Sequence, residues 1–417
     1  MKINKLNEEI KQYKLDNGLT VYLYDNPEFT NLYANYTVNF GSIDTEYLFL
    51  GQEYSDPKGI AHYLEHLMFA DGPNDYFDYF SKYGAQSNAY TSFNQTSYLF
   101  NASSNYEQCL KLLIEMVQTL KIDEERVKSE FGVIKEEIEM YNSKPNFILQ
   151  NMLFSQTCNS NYQYDIAGTI DSISKISYDH IKRLFDMFYA PSNAVLFIAG
   201  NIDFDIQAII DMQIIKELKS KPVLERDLET KQVNSGYDYK FSNVASEAQM
   251  MISYKFDVCQ SVEEMILSDI CFEIFTIWLT SDLNPNYSQA VIDGIINETF
   301  SGYQMLDKTI NMLVFKMRSD KYQDAMKYIE SQVQTLNDDI IEVIKRKKIG
   351  SEIRLFNNPE HISEYGLDLI LREMDMNKYF DYLYEVDSHT IHQHIQKTMQ
   401  GVMTSVQILA KEAKEVE

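Results

Sequence analysis

The sequence predicts an α+β protein of two homologous α/β-roll domains, each a mostly antiparallel sheet covered by helices, and three observations carry that expectation. A chain of 417 residues is too long for one ordinary core and suits two domains of roughly 200 residues each. An internal echo supports the duplication: Ile114-Glu115-Met116-Val117-Gln118-Thr119-Leu120 returns about 215 residues later as Ile329-Glu330-Ser331-Gln332-Val333-Gln334-Thr335-Leu336, and Glu137 to Asn142 returns as Glu352 to Asn357 at the same offset. Short runs of strand-forming composition also alternate with longer helical patterns, which favours helices laid over sheets.

The strand runs follow in order. Leu19 to Tyr24, Leu32 to Phe40, Ser97 to Asn101 and Ala194 to Ala199 belong to the first copy, and Gln249 to Phe256 and Asn311 to Met317 to the second. Between the copies, Leu218 to Gly236 is charged and helix-poor and contains Lys221-Pro222 and Asn234-Ser235-Gly236. It reads as the linker, residues 218–236, between a first domain of residues 1–217 and a second of residues 237–417.

The most informative word is His62-Tyr63-Leu64-Glu65-His66. On a helix, residues four apart share a face, so His62 and His66 can offer two imidazoles to one metal ion. Glu65 lies three residues after His62 on that face, within reach of a general-base role toward water. Ser55-Asp56-Pro57 offers a helix-start signal, and Ile60, Leu64, Leu67 and Met68 supply an apolar stripe beside the histidines. The order is inverted relative to the commoner His-Glu-x-x-His.

A catalytic zinc site takes three protein ligands and keeps one position open, so a third ligand must come from elsewhere. In Glu130 to Glu139, the residues Glu130, Ile134 and Glu137 recur at helical spacing. Either Glu130 or Glu137 can face the histidines, whereas Glu136 and Glu139 point elsewhere and read as a solvated acidic surface.

These residues resemble the insulinase or pitrilysin group of zinc metallopeptidases, whose signature is the inverted His-x-x-Glu-His followed some seventy to eighty residues later by Glu-x6-Glu. Here Glu137 follows His66 by about seventy residues, and Glu130 and Glu137 reproduce the second element. The resemblance implies His62, His66 and Glu137 as ligands of one zinc ion per chain, Glu65 as catalytic base and Glu130 as an auxiliary carboxylate. Asn17 to Val21 is similar to the family's opening strand, and Asn88-Ala89-Tyr90-Thr91-Ser92 to its substrate-binding edge strand, with Asn88, Ala89 and Tyr90 as substrate contacts. Tyr189-Ala190-Pro191-Ser192-Asn193 running to Gly200-Asn201 is similar to its closing strand. Gly59-Ile60-Ala61, Asn88 to Phe100 and Asp165-Ile166-Ala167-Gly168-Thr169 look closest to small bacterial subunits of paired processing peptidases, the type found beside genes for bacteriocins and modified peptides. The implied activity is zinc-dependent endopeptidase cleavage of short or unfolded peptides, processing a leader or precursor peptide with a partner. That partner is a homologous subunit lacking the zinc motif, or a second copy. The alternative is a noncatalytic structural or peptide-binding subunit.

One departure stands out. Many members carry an Arg followed seven residues later by Tyr in the second domain, where both stabilise the oxyanion. Placing Gly294 on that motif's glycine puts Ser288 and Ile295 at the two positions. Where the first copy carries its histidines, the second has Phe275-Thr276-Ile277-Trp278-Leu279, which reads as packing.

Composition excludes other classes. A formal charge of −25 repels nucleic-acid phosphates. Cys109, Cys158, Cys259 and Cys271 are scattered and read as reduced core residues, not a disulfide framework or thiolate site. Polar sequence after Met1 and the lack of a long apolar run predict a cytoplasmic protein with no membrane span. His389, His392 and His394 crowd together behind the cap signal Asp387-Ser388, but no third ligand falls at helical spacing with them, and they read as adventitious surface histidines.

Overall fold

The computed structural model describes residues 2–202, 204–205, 222–224, 226–234, 236–243 and 245–410. The chain forms two compact units, each discontinuous in sequence. The first comprises Met1–Ile138, Asp165–Arg226 and Glu352–Asn377; the second comprises Glu139–Tyr164, Asp227–Ser351 and Lys378–Glu417.

In the first unit a six-stranded sheet runs in the order Ala85–Thr91, Thr96–Ala102, Leu32–Val38, Ala194–Gly200, Thr20–Asp25 and Lys11–Lys14. Its pairings are antiparallel except that Ala194–Gly200 lies parallel to Thr20–Asp25. In the second unit five strands follow the same order: Ser301–Leu306, Asn311–Met317, Gln249–Lys255, Val402–Ala410 and Tyr237–Ser242. The single parallel pairing falls at the same place, between the last two strands. The α+β class and the duplication expected from the sequence are therefore realised strand by strand. The strand runs were legible because short β-branched and aromatic segments suit a pleated, half-buried surface.

The helices needed to position the site are α1 (Ile60–Leu67), α2 (Tyr76–Lys82), α3 (Tyr106–Gln118) and α4 (Glu124–Tyr141). They share one core with the first sheet, in which Ile60, Leu64 and Leu67 of α1 meet Leu110, Leu113, Ile134 and Ile138. The helix after α4, α5 (Pro145–Thr157), packs on strands Gln249–Lys255 and Val402–Ala410 of the second unit. Its counterpart Pro359–Leu371 packs on Leu32–Val38 and Ala194–Gly200 of the first. Gly366 makes that approach possible, since a Cβ there would lie 2.6 Å from the ring of Phe197.

The start of α1 departs from the expected Ser55-Asp56-Pro57 cap. Ser55 ends a short strand, and the N-cap is Gly59 at φ 90° with no side-chain cap. A Cβ at Gly59 would lie 2.3 Å from the carbonyl oxygen of Ala167, and one at Gly168 would lie 2.5 Å from that of Lys58. Two glycines at positive φ thus let two loops touch, which a side-chain cap could not achieve. Asp56 instead accepts from Tyr47 Oη (2.7 Å) and from Arg183.

Part of the predicted linker, residues 218–221, 225 and 235, lies outside the described residues. Its described portion is firmly held. Val223 bridges to Leu48, and Arg226 donates to both oxygens of Asp44 at 2.7 Å. In the second unit Glu229 is buried against Lys255, whose Nζ donates to Glu229 Oε2 (2.6 Å), Thr157 O (2.5 Å) and Gln232 O (3.0 Å). Ser160 donates to the same carboxylate through its amide (2.8 Å) and its hydroxyl (2.5 Å). In the second copy Phe275, Trp278 and Leu279 are buried, as packing residues should be. Among the described residues no helix is long and apolar enough to cross a membrane.

Burial pushes the Glu229 carboxyl up, but the bonds from Lys255 and Ser160 outweigh it and hold it below its ordinary value of 4.5. A carboxyl depressed in the folded state contributes stability above its unfolded value and loses it as pH falls through the folded value. Glu229→Gln leaves the buried Lys255 ammonium without its counter-ion and should cost about 3 kcal/mol or more at neutral pH. The variant's stability should also vary less with pH below about 4.5 than the wild type's. Urea unfolding at neutral and acidic pH measures both; equal stability of the two proteins at pH 7 would contradict the account.

Candidate metal centre

Helix α1 places His62 and His66 one turn apart with ring centroids 4.6 Å apart. Helix α4 lies across them. Glu137 Oε2 is 3.7 Å from His62 Nε2 and 3.3 Å from His66 Nε2. One ligand atom from each of the three residues falls within 4.8 Å of the others, and this is the metal-capable cluster found among the described residues. Glu130, one of the two carboxylates left open by helical spacing, approaches the opposite nitrogen: its Oε1 is 3.0 Å from His66 Nδ1. A carboxylate on Nδ1 fixes the ring, and Nε2 can offer its lone pair to a metal once the proton it shares with Glu137 is displaced.

Burial pulls His62 down to about 4, with the neighbouring His66 acting the same way, so that ring is neutral at physiological pH. Burial also acts downward on His66, but the ring's hydrogen bonds to Glu130 and Glu137 and the nearby charges of Glu65 and Glu130 outweigh it and raise the ring to about 10. Two imidazoles and a carboxylate converge on one point, with a further carboxylate behind, and this donor set fits zinc.

Glu65 is buried, and burial pushes its carboxyl above the ordinary range, offset in part by the Thr91 hydroxyl and by His66. Thr91 Oγ1 donates to Glu65 Oε2 at 2.7 Å. Thr91 ends the strand Ala85–Thr91, which forms one edge of the sheet. Asn88 is exposed and Ala89 and Tyr90 are partly exposed along that edge. Strand alternation sends the Tyr90 side chain to the other face, away from α1. There its hydroxyl donates to Glu364 Oε2 at 2.8 Å, and Asn35 Nδ2 donates to Glu364 Oε1 at 2.7 Å. Tyr33 donates to the same carboxylate. The edge strand is therefore tied on one face to Glu65 and on the other to Glu364. The sequence marks Thr91 only as part of the expected edge strand and gives no signal for Glu364, because each acts through a partner far away along the chain.

The other flagged residues belong to the second unit. Ser288 is exposed, with its hydroxyl 3.4 Å from Asp282 Oδ1, and Ile295 is partly buried and apolar. Of the carboxyl-terminal histidines, His394 packs on Ser268 Oγ (3.1 Å), His392 lies 3.4 Å from Asp338, and His389 contacts Gln393. Asp387 caps their helix by accepting from the Thr390 amide at 2.8 Å.

Paired histidines and a glutamate of this spacing, on helices laid over a duplicated α+β unit, define a zinc-peptidase class of site. Residues 50–170 match the family described as insulinase (peptidase family M16), and residues 175–345 match the peptidase M16 inactive domain. The chain belongs to the M16 insulinase-type zinc peptidase family. It is 30% identical over 376 residues to the uncharacterized zinc protease YmfH of Bacillus subtilis (strain 168), covering 86% of each chain. Among solved structures, a putative M16-like peptidase from Alicyclobacillus acidocaldarius superposes with a TM-score of 0.90 at 25% identity, over 97% of this chain and 99% of that one. A protease from Helicobacter pylori has the same fold, with a TM-score of 0.81 at 17% identity, over 96% of this chain and 99% of that one.

The contact between Glu130 and His66 has a direct consequence. Glu130→Gln should lower zinc affinity by roughly 10- to 100-fold while leaving the fold intact, because the ring loses the carboxylate that orients it. Competition with a chromophoric chelator gives the constant, and unchanged affinity would remove Glu130 from the site.

Proposed function

We propose that this chain is a zinc-dependent endopeptidase subunit that cleaves short or unfolded peptides, processing a leader or precursor peptide together with a partner subunit. The observation that carries the reading is the convergence of His62, His66 and Glu137 within 4.8 Å, with Glu65 on the same helix and held by the end of an open edge strand. In this reading His62, His66 and Glu137 hold one zinc ion, which when bound supplies Lewis-acid polarisation of a carbonyl and acidifies water.

The chain's own groups do the rest. A peptide adds to the outer edge of Ala85–Thr91 as an extra strand, and main-chain hydrogen bonds along Asn88, Ala89 and Tyr90 hold it with modest side-chain selectivity. Glu65 Oε2 accepts from Thr91, which turns Oε1 to the attacking water. Burial has raised the Glu65 carboxyl, which makes it a stronger base than an exposed glutamate. Glu65 then takes the water proton and returns it to the leaving amine. Glu364 acts behind the edge by holding Tyr90 and so keeps the peptide in register with Glu65.

Glu65→Gln should retain zinc while hydrolysis of an unstructured peptide falls to background, since the ligands persist and the proton acceptor is gone. His62→Ala/His66→Ala should lose both. Metal analysis beside the peptidase assay decides: full activity of Glu65→Gln, or stoichiometric zinc in the double variant, would sink the assignment.

A noncatalytic, peptide-binding role is the second reading; it is favoured if Gly294 is the glycine of the second-domain motif, since Ser288 and Ile295 then stand where oxyanion donors are expected. A missing donor is worth roughly 3 kcal/mol. The purified chain should therefore turn over a basic, unstructured peptide very slowly alone, and a homologous subunit that lacks the zinc motif but carries the Arg and Tyr should restore cleavage. Robust turnover without a partner would refute the division of labour; no turnover with a partner and zinc present would favour the noncatalytic reading.

A further inference from the structure

Glu130 is a buried carboxylate, and its two oxygens have different partners. Oε1 lies 3.0 Å from His66 Nδ1. Oε2 pairs with Arg126, one turn earlier on α4, whose Nη2 lies 3.7 Å away. The two side chains are 9% and 38% exposed, so the carboxylate sits deep and the guanidinium reaches it from the rim. Arg126 is turned inward, with its Nε buried and without a hydrogen-bond acceptor among the described residues.

Helix electrostatics alone would not place a cation here. Arg126 lies in the first turn of α4, at the positive end of the helix dipole, where acids such as Glu124 and Glu125 are the stabilising residues. An arginine four residues before a glutamate is also the weaker order of such a pair. Burial pushes the nearby Asp75 carboxyl up, and the Phe77 amide and the Arg126 charge act the other way. Asp75 is already engaged as the cap of α2, accepting from the Phe77 amide at 2.8 Å. The ion-pair partner of Arg126 is therefore Glu130.

We propose that Arg126 is a positioning residue for the candidate metal centre: it holds Oε2 of Glu130, so that Oε1 stays aimed at His66 Nδ1 and the ring keeps Nε2 turned toward the metal. This rests on the reading of His62, His66 and Glu137 as zinc ligands. The terminal torsion of a glutamate is soft, so one contact from a ring nitrogen does not fix the plane of the carboxylate. A contact on each oxygen does. Arginine stays charged at any working pH, so the hold does not depend on the state of His66.

Competition with a chromophoric chelator, run on the full chain, tests this. Arg126→Met keeps the apolar stem and removes the charge. It should weaken zinc binding by roughly three- to tenfold, less than the loss expected of Glu130→Gln, because Arg126 acts one step further out. Arg126→Lys should bind within about twofold of the wild type, since an ammonium can meet Oε2 as a point charge. In a Glu130→Gln background Arg126→Met should cost nothing further, which a general loss of stability would not reproduce. Wild-type affinity in Arg126→Met, equal losses in Arg126→Met and Arg126→Lys, or the same loss with and without Glu130 would each overturn the proposal and leave the ligand assignment in place. A wild type that takes up no zinc would overturn the ligand assignment and the proposal with it.

Discussion

Everything at the candidate metal centre depends on holding two imidazoles and three carboxylates close together inside a helical layer. Desolvating each ionised group costs several kcal/mol, and like charges add to that cost. A fully buried Leu or Ile side chain stabilises by roughly 1.5–3 kcal/mol, which is the same order. The apolar stripes beside the site must therefore be nearly complete, and they are: Ile60, Leu64 and Leu67 on α1 and Val127, Ile134 and Ile138 on α4 are all buried. Polar and apolar stripes alternate on the same two helices, so whatever fixes the packing also fixes the ligand geometry.

The electrostatics follow from that placement. His62 sits deeper and is driven neutral by burial, whereas His66 is flanked by Glu130 and Glu137 and is driven the other way. Glu65 is shielded from water but not isolated, because the Thr91 hydroxyl reaches it from the sheet edge. One residue earlier the same strand is tied by Tyr90 to Glu364 on a helix from the second half of the sequence. A carboxylate that accepts from Tyr33, Asn35 and Tyr90 makes the rear of the edge strand stiff. Strand alternation allows both ties, since neighbouring residues point to opposite faces.

Duplication explains the architecture and also what the second copy lacks. Five strands recur in the same order with the same parallel pairing, but the helix Val262–Leu279 carries Phe275, Trp278 and Leu279 into its core where α1 carries histidines. Without ligands to place, that helix is free to be apolar nearly all round. Among the described residues the strand Lys11–Lys14 has no counterpart in the second sheet.

By itself the sequence determined the local features: the strands, whose composition suits a pleated surface; the duplication, visible as an echo; and the set His62, Glu65 and His66, because one helical turn brings them together whatever else the chain does. It also narrowed the carboxylate expected to join the histidines to Glu130 or Glu137, since both share a face of α4. Tertiary structure alone decided which carboxylate approaches which nitrogen, because that depends on how α4 lies across α1. It likewise decided that Gly59, not Ser55 or Asp56, begins α1, since the constraint is contact with Ala167 and Gly168. The roles of Thr91 and Glu364 were set the same way. Their partners lie 26 and up to 331 residues away, and no local pattern encodes a contact that forms only when the sheet and its two helical layers close on each other.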